Sequence, residues 1–273
     1  MLEPDACHID IWLVDDREVT DVALLEQYQA LLSAVENERL ERLLFTRHRH
    51  QFLVTRALLR SVLAKYVADD LLEHGADSSP EGLVFESGPQ GKPCLPVAPN
   101  LEFNLTHTKG LAALAVTRDI PIGLDVEYLS RVADVVRLTE RYFAQAEIEA
   151  LYRLPVNAWN NRFYDLWTLK EAYLKACGTG LQTPLRDFSF AFSEAGIDIH
   201  FSEALPDDPA NWRFWQMTLA GDYRLSLAAE CGTDQAFSLS LRRGIPLQGF
   251  SKIALPPLRT DIKHAEQRGL TVR

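Results

Sequence analysis

Two carboxylates stand two residues apart in a short apolar segment of the chain. Asp125 and Glu127 are interleaved with Leu124 and Val126, which is the alternation of a β-strand. Side chains at this spacing point to the same face, with their Cα atoms roughly 7 Å apart. Two like charges on one face repel each other, and a divalent cation is the usual compensating partner. The pattern indicates a metal site; the alternative is an exposed strand face that carries two acids.

A third carboxylate and a lysine lie in residues 163–181, a segment with the spacing of a half-buried helix. Glu171 and Lys175 are four residues apart, so they stack on one face of that helix. The alternative is a surface ion pair that only supports the helix. The helix is indicated by apolar residues at three- and four-residue spacing and by two glycines that stop it. These residues are Leu166, Leu169, Tyr173, Leu174, Gly178 and Gly180.

A histidine ends a predicted strand of residues 101–105 and enters a tight turn. His107 stands beside Thr106, Thr108 and Lys109, which together supply several hydrogen-bond donors. A lone histidine is more often structural than functional. At a strand end among these donors, however, it suits a phosphate group.

Basic residues are concentrated in residues 36–60 of an otherwise acidic chain. Six arginines and three glutamates give this segment a net charge of six minus three, or +3. Arg47, Arg49 and Arg56 have no acidic neighbour at helical spacing, so they are the better candidates for binding an anion. For the other three arginines, Arg39, Arg42 and Arg60, the alternative is a solvated helix face.

Farther on, Lys92 stands between Gly91 and Pro93, which define its backbone position.

Composition narrows the class of protein. The 273 residues are 47% hydrophobic and 24% charged, which is typical of a soluble globular protein of one or two domains. The net charge of -10 argues against a general nucleic-acid or anionic-membrane binder, so any phosphate site must be local or built on a metal ion. The four cysteines are too widely spaced for a zinc site or a disulfide scaffold. No apolar run is long enough to span a bilayer, and we expect a cytoplasmic protein.

Helices precede strands in both halves of the chain, which predicts a duplicated α+β organisation. We expect one helix at 22–33, one or two over 35–67, a helical region over 134–154 and a helix at 167–177, and most strands follow them in each half. We therefore expect an N-terminal half over residues 1–126 and a C-terminal half over 127–245. Residues 246–273 contain three prolines and mixed charge, and we expect a tail whose order the sequence does not settle.

Three blocks stand in a specific order. They are Gly91-Lys92-Pro93 with Phe103-Asn-Leu-Thr-His107, then Ile122-Gly-Leu-Asp125-Val-Glu127, then Trp167-Thr-Leu-Lys170-Glu171-Ala-Tyr-Leu-Lys175 with Gly178 and Gly180. From about residue 36 to about residue 230 the chain resembles the surfactin-synthetase-activating type of 4′-phosphopantetheinyl transferase. The resemblance implies an α+β pseudo-dimer of two similar halves, with coenzyme A bound in the cleft between them.

The resemblance also assigns roles to single residues. It implies that Asp125, Glu127 and Glu171 bind Mg²⁺, and that Glu171 accepts the proton of the incoming hydroxyl, either as a metal ligand or as its neighbour. Lys175 and His107 correspond to residues that contact the coenzyme A phosphates. Lys92 matches a lysine near the adenosine 3′-phosphate, Thr106 replaces a common serine and keeps its hydroxyl, and Arg56 falls in the basic N-terminal region. That region matches only by the position of its basic residues, so which arginine contacts the ligand stays open.

The reaction implied is the transfer of 4′-phosphopantetheine from coenzyme A to a serine of an apo carrier protein, with release of 3′,5′-ADP. Fatty acid, polyketide and nonribosomal peptide carrier proteins are all open as acceptors, and we expect a monomer. One alternative is a Mg²⁺-dependent phosphohydrolase, which would use the same acids with water as the nucleophile. A non-catalytic nucleotide-binding module is the other, and it would not need three acids.

Overall fold

A computed structural model describes residues 8–73, 77–88, 91–130, 134–193, 196–231 and 237–260. The chain divides into two compact units. The first holds the described residues up to Asp119 together with Leu239–Ala254, and the second holds those of Ile120–Ser238 with the described residues from Leu255 onward. Both units contain helices and antiparallel strand pairs, so the predicted α+β class is confirmed.

The helices and strands follow one another along the chain. In order they are β1 (His8–Asp15), α1 (Val22–Ala30), α2 (Ala34–Glu41), α3 (Thr46–Glu73), β2 (Glu86–Ser87), β3 (Pro93–Cys94), β4 (Leu101–Thr108), β5 (Leu111–Arg118), β6 (Ile122–Tyr128), α4 (Val135–Tyr142), α5 (Gln145–Tyr152), α6 (Trp159–Cys177), β7 (Phe188–Ser193), β8 (Gly196–Phe201), β9 (Trp212–Leu219), β10 (Tyr223–Glu230), β11 (Ser238–Ile245), β12 (Gly249–Ile253) and β13 (Leu258–Thr260).

The first unit is built on a five-stranded sheet in the order β12-β11-β1-β5-β4. Helix α3 packs its apolar side into the same core as the sheet, where Leu58 and Val62 join Trp12 and Leu114. All four side chains are buried: Leu58 and Val62 lie one turn apart on the helix, and β1 and β5 are buried along almost their whole length. This core supports β4 and its turn, where the predicted phosphate-binding residues lie.

The second unit contains a four-stranded sheet in the order β13-β9-β10-β6 and a hairpin of β7 and β8. Helix α6 is its central helix and contacts both β6 and β10. It begins at Trp159, earlier than the predicted start, and Gly178 follows it in the left-handed conformation with φ of 70°. A glycine adopts this conformation without strain, so the predicted stop signal is confirmed.

The helical region predicted over 134–154 is two helices, α4 and α5.

The observed units differ from the predicted division in two places. The expected boundary after residue 126 falls inside β6, which belongs wholly to the second unit. The expected tail contains two strands, since β12 pairs with β11 and β13 pairs with β9. The pair of β11 and β12 is a local hairpin, whereas β13 pairs with a strand far back in the chain and leaves no local signal in the sequence. The proline-rich composition suggested a tail instead. Residues 261–273 lie outside the described residues.

Arg259 holds β13 to the second unit through side-chain contacts. Its Nη1 donates to Gln216 Oε1 at 2.9 Å and to Asp165 Oδ2 at 3.2 Å. Asp165 is buried on α6 and also pairs with Arg224 Nε at 2.8 Å. The last described strand is therefore tied to the central helix by one shared carboxylate.

Within the described ranges, no helix combines the length and apolar character needed to cross a membrane.

Strand β6 and helix α6 approach each other closely at Gly123. A Cβ atom added there would lie 2.0 Å from the carbonyl oxygen of Ala172 and 2.3 Å from the backbone nitrogen of Ala176. Both are backbone atoms of α6, so no side-chain rotation can make room. Only glycine permits this spacing, and Asp125 follows two residues later on the same strand.

Gly123→Ala should therefore push α6 away from β6. We expect it to lower the free energy of unfolding by about 3 kcal/mol, the upper end of the usual cost of overpacking a core. Urea denaturation followed by circular dichroism measures the change. A loss below about 1 kcal/mol would show that the helix and strand accommodate a methyl group, contrary to the structure.

Candidate active site

Strand β6 and helix α6 bring the three predicted metal ligands to one open pocket of about 710 Å³ in the second unit. Asp125 and Glu127 come from β6 and Glu171 from α6. The two strand carboxylates share a face because they are two residues apart, as predicted. The rest of the lining is Arg141, Tyr142, Trp167, Thr183, Pro184, Leu185 and Arg186.

Lys175 joins the helix to the strand beside this pocket. Its Nζ lies 2.6 Å from Asp125 Oδ1 and donates to the Leu124 carbonyl at 3.1 Å. Asp125 is buried and Lys175 is partly buried, so the ion pair is shielded from solvent. The alternative of a simple surface pair between Glu171 and Lys175 is therefore wrong, since this lysine bridges two elements.

Glu171 lies in an environment that disfavours its charged form. Burial raises the pKa of Glu171, and the negative charge of Asp125 raises it further. Lys175 offsets part of this effect. A pocket in which one carboxylate raises the pKa of another is a site that a cation would stabilise.

The donor set of the pocket fits Mg²⁺, which prefers oxygen ligands and keeps several positions for water or phosphate. Asp125, Glu127 and Glu171 supply carboxylate oxygens around an open space. In the part of the chain that the structure describes, no three acidic, histidine or cysteine side chains already converge as a complete metal cage. The three acids therefore line the pocket rather than enclose a point, and one oxygen of Asp125 is engaged by Lys175.

The other predicted site residues belong to the first unit. Thr106 and His107 are adjacent near the end of β4; Thr106 is buried and His107 is exposed. Lys92 Nζ pairs with Glu102 Oε2 at 2.8 Å, with one fifth of the lysine side chain exposed. The structure thus separates the predicted residues into an acidic group with Lys175 in one unit and a basic group in the other.

Arg56 differs from its prediction in one respect. Its Nε lies 3.7 Å from Glu36 Oε1, so the arginine has an acidic neighbour that helical spacing did not show. Burial lowers the pKa of Arg56, and the Glu36 carboxylate opposes that shift. Glu36 lies on α2 and Arg56 on α3, so only the packing of the two helices reveals the pair.

Comparison with known proteins identifies the family. Residues 121–228 match the model described as the 4′-phosphopantetheinyl transferase superfamily. This range contains the three pocket acids, Asp125, Glu127 and Glu171, together with Lys175. The 4′-phosphopantetheinyl transferase HetI of Nostoc is 37% identical over 160 residues, which is 58% of this chain and 64% of the relative. A 4′-phosphopantetheinyl transferase of Bacillus subtilis is 30% identical over 182 residues, 67% of this chain and 75% of its own length.

The chain belongs to the 4′-phosphopantetheinyl transferase family. The Bacillus subtilis transferase Sfp is 28% identical over 182 residues, 67% of this chain and 75% of its own length. The resemblance stated from the sequence is thereby confirmed. The chain spans just under two thirds of HetI, so that likeness does not cover the whole relative.

Sequence reasoning missed a buried ion pair that supports the pocket of this transferase family member. Lys170 Nζ lies 2.9 Å from Glu147 Oε2, and both side chains are almost completely buried. The same Nζ donates to the carbonyls of Leu185 at 2.7 Å and Phe188 at 2.6 Å. Because Leu185 lines the pocket, Lys170 fixes one pocket wall to α6. Its position four residues after Leu166 could have indicated that it faces the core.

Two arginines of the pocket were also missed. Arg141 lies in the last turn of α4 and Arg186 in a short turn after α6. Neither position carries a sequence pattern that predicts a ligand, and only the folded chain places them beside the three acids.

Lys170→Met should destabilise the protein by about 3 to 5 kcal/mol, because it leaves Glu147 as a buried, uncompensated charge. The double variant Glu147→Leu/Lys170→Met should recover part of this loss, since no unpaired charge is left. The carbonyls of Leu185 and Phe188 still lose their donor, so recovery should be incomplete. Urea unfolding of both variants measures the difference. Equal stability of the single and double variants would contradict the role of the ion pair.

Proposed function

We propose that this protein transfers the 4′-phosphopantetheine group from coenzyme A to a serine of an apo acyl or peptidyl carrier protein, releasing 3′,5′-ADP. The observation that carries the proposal is one pocket, within the family-matched segment, lined by three carboxylates and flanked by the Asp125–Lys175 ion pair. Mg²⁺ bound by Asp125, Glu127 and Glu171 would supply charge neutralisation at the diphosphate.

The acceptor supplies the nucleophile in this reaction. Its serine oxygen forms a bond to the phosphorus on the pantetheine side, and the bond from that phosphorus to the 3′,5′-ADP oxygen breaks. Glu171 lines the pocket and takes the serine proton, directly or through a water molecule. Lys175 neutralises negative charge that develops on the departing 3′,5′-ADP.

The basic residues of the first unit keep the roles that the resemblance implies. His107, with its exposed ring, binds the diphosphate, and the Thr106 hydroxyl adds a donor nearby. Lys92 binds the 3′-phosphate, and we assign Arg56, whose role the resemblance left open, to the same group. Each must exchange a carboxylate partner for a phosphate. An arginine or lysine can do so because phosphate accepts the same charge-assisted hydrogen bonds as a carboxylate.

Family membership favours transfer over the alternative of a Mg²⁺-dependent phosphohydrolase. A hydrolase would use the same acids, but it would consume coenzyme A without an acceptor. The cytoplasmic location and monomeric state expected from the sequence are parts of the same proposal.

The transfer itself is tested with an apo carrier protein, coenzyme A and Mg²⁺. The carrier should gain the mass of one phosphopantetheinyl group on a serine, and an equal amount of 3′,5′-ADP should appear. Without the carrier, coenzyme A should persist, because the attacking hydroxyl is absent. Mass spectrometry and nucleotide chromatography measure both products. Equal consumption of coenzyme A with and without carrier would overturn the proposal in favour of hydrolysis.

The metal ligands are tested by Asp125→Asn and Glu171→Gln. Each should lower turnover by at least about 100-fold, since one charged ligand that supports the transition state is lost. Each should also weaken Mg²⁺ binding measured by isothermal titration calorimetry. Glu149→Gln on the exposed side of α5 is the matched control and should leave both quantities unchanged. Normal Mg²⁺ affinity in Asp125→Asn would remove this residue from the metal site.

A further inference from the structure

Two exposed arginines line the pocket that holds the three carboxylates. Arg141 and Arg186 come from different parts of the second unit, and the fold brings both to the same opening. The mechanism described above uses neither of them. Two positive charges at the mouth of an acidic pocket are a feature that the reaction chemistry alone does not explain.

Neither arginine forms an ion pair within the described ranges. Arg141 contacts the ring of Tyr142, with 5.1 Å between its Cζ and the ring centroid. Some other exposed arginines are paired, since Arg42 pairs with Glu38 and Arg153 pairs with Glu149. Both pocket guanidinium groups can therefore form two parallel hydrogen bonds to an incoming anion without breaking an existing ion pair.

Under the proposed function, two kinds of anion are candidate ligands of the arginines. They are the phosphates of coenzyme A and the carboxylates of the acceptor. The surroundings of the arginines favour the acceptor. Trp167, Tyr142 and Pro184 line the same pocket and add apolar surface, and a mixture of arginine and aromatic side chains is typical of protein interfaces. The phosphates already have Lys175 and the metal ligands as partners.

The overall charge of the protein explains why a local pair of cations is needed. A chain of net charge -10 repels any approaching carboxylate, and the three pocket carboxylates add to that repulsion at the point of attack. A local pair of positive charges removes this barrier and orients the partner, because electrostatic complementarity acts mainly on encounter and specificity.

We propose that Arg141 and Arg186 bind carboxylates of the acceptor protein next to its reactive serine and thereby select acidic acceptors. The inference rests on the proposed function and adds the residues that choose the acceptor. It makes the two arginines binding residues, with no part in the bond-forming step.

The test measures steady-state kinetics of Arg141→Glu, Arg186→Glu and the double variant, with an acidic apo carrier protein and with coenzyme A varied in turn. Each single variant should raise KM for the carrier at least about tenfold, the loss of one charge-assisted contact. KM for coenzyme A and kcat at saturating carrier should stay within about twofold of the wild type. Arg153→Glu, an exposed arginine on the same unit, is the control and should change none of these quantities.

A charge exchange makes the test specific. A carrier in which the acidic residues beside the serine are replaced by lysine should be a poor acceptor for the wild type and a better one for the double variant. Circular dichroism and melting temperature establish that each variant is folded, and Arg141→Gln with Arg186→Gln should give intermediate KM values.

Three outcomes overturn the inference. An unchanged carrier KM in the folded double variant would show that the arginines do not contact the acceptor. A rise confined to KM for coenzyme A would assign them to phosphate binding instead. Failure of the wild type to modify any carrier would reject the proposed function itself, and with it this extension; that result is visible before any variant is compared.

Discussion

The close contact between β6 and α6 at Gly123 is the constraint on which the rest of the second unit depends. A backbone-to-backbone approach leaves no space for a Cβ atom. Because the strand and helix lie this close, Lys175 reaches Asp125, and the charge of Asp125 helps to raise the pKa of Glu171. A larger spacing would separate the acids and leave Lys175 without its two partners on β6. The chemistry of the pocket therefore follows from one residue that has no side chain.

Buried polar contacts stabilise the frame around that approach. Lys170 joins α6 to the pocket wall through Leu185 and to α5 through Glu147. On the neighbouring part of α6, Thr168 shares a hydrogen bond of 2.8 Å with Ser226 of β10. Such contacts contribute little net free energy when satisfied, but leaving one partner alone is costly. They specify one arrangement of helix and sheet, which positions catalytic groups more strictly than apolar packing does.

Charge is distributed so that an acidic protein can attract anions locally. The carboxylates of the second unit suit a cation, which in turn attracts phosphate. The basic residues of the first unit are largely held by acidic neighbours, as Arg56 is by Glu36 and Lys92 by Glu102. Arg141 and Arg186 differ from these because the described chain gives them no acidic partner. Arg56 and Lys92 must therefore exchange an acidic partner for a phosphate, whereas Arg141 and Arg186 can bind an anion without breaking an ion pair.

What the sequence by itself determined about this protein is local. Alternation placed Asp125 and Glu127 on one face, helical spacing aligned Glu171 with Lys175, and Gly178 marked the end of the helix. The order of three motif blocks predicted the family. These signals are readable because strand and helix periods depend on neighbouring residues alone.

The tertiary structure decided which side chains and which strands pair with one another. Lys175 pairs with an acid 50 residues away rather than with the acid one turn before it, and Lys170 finds Glu147 in the core. Two strands form in the segment that looked like a tail, and two arginines without any motif reach the pocket. Contacts of this kind depend on how helices and strands pack, and packing is a property of distant residues together that no local pattern contains.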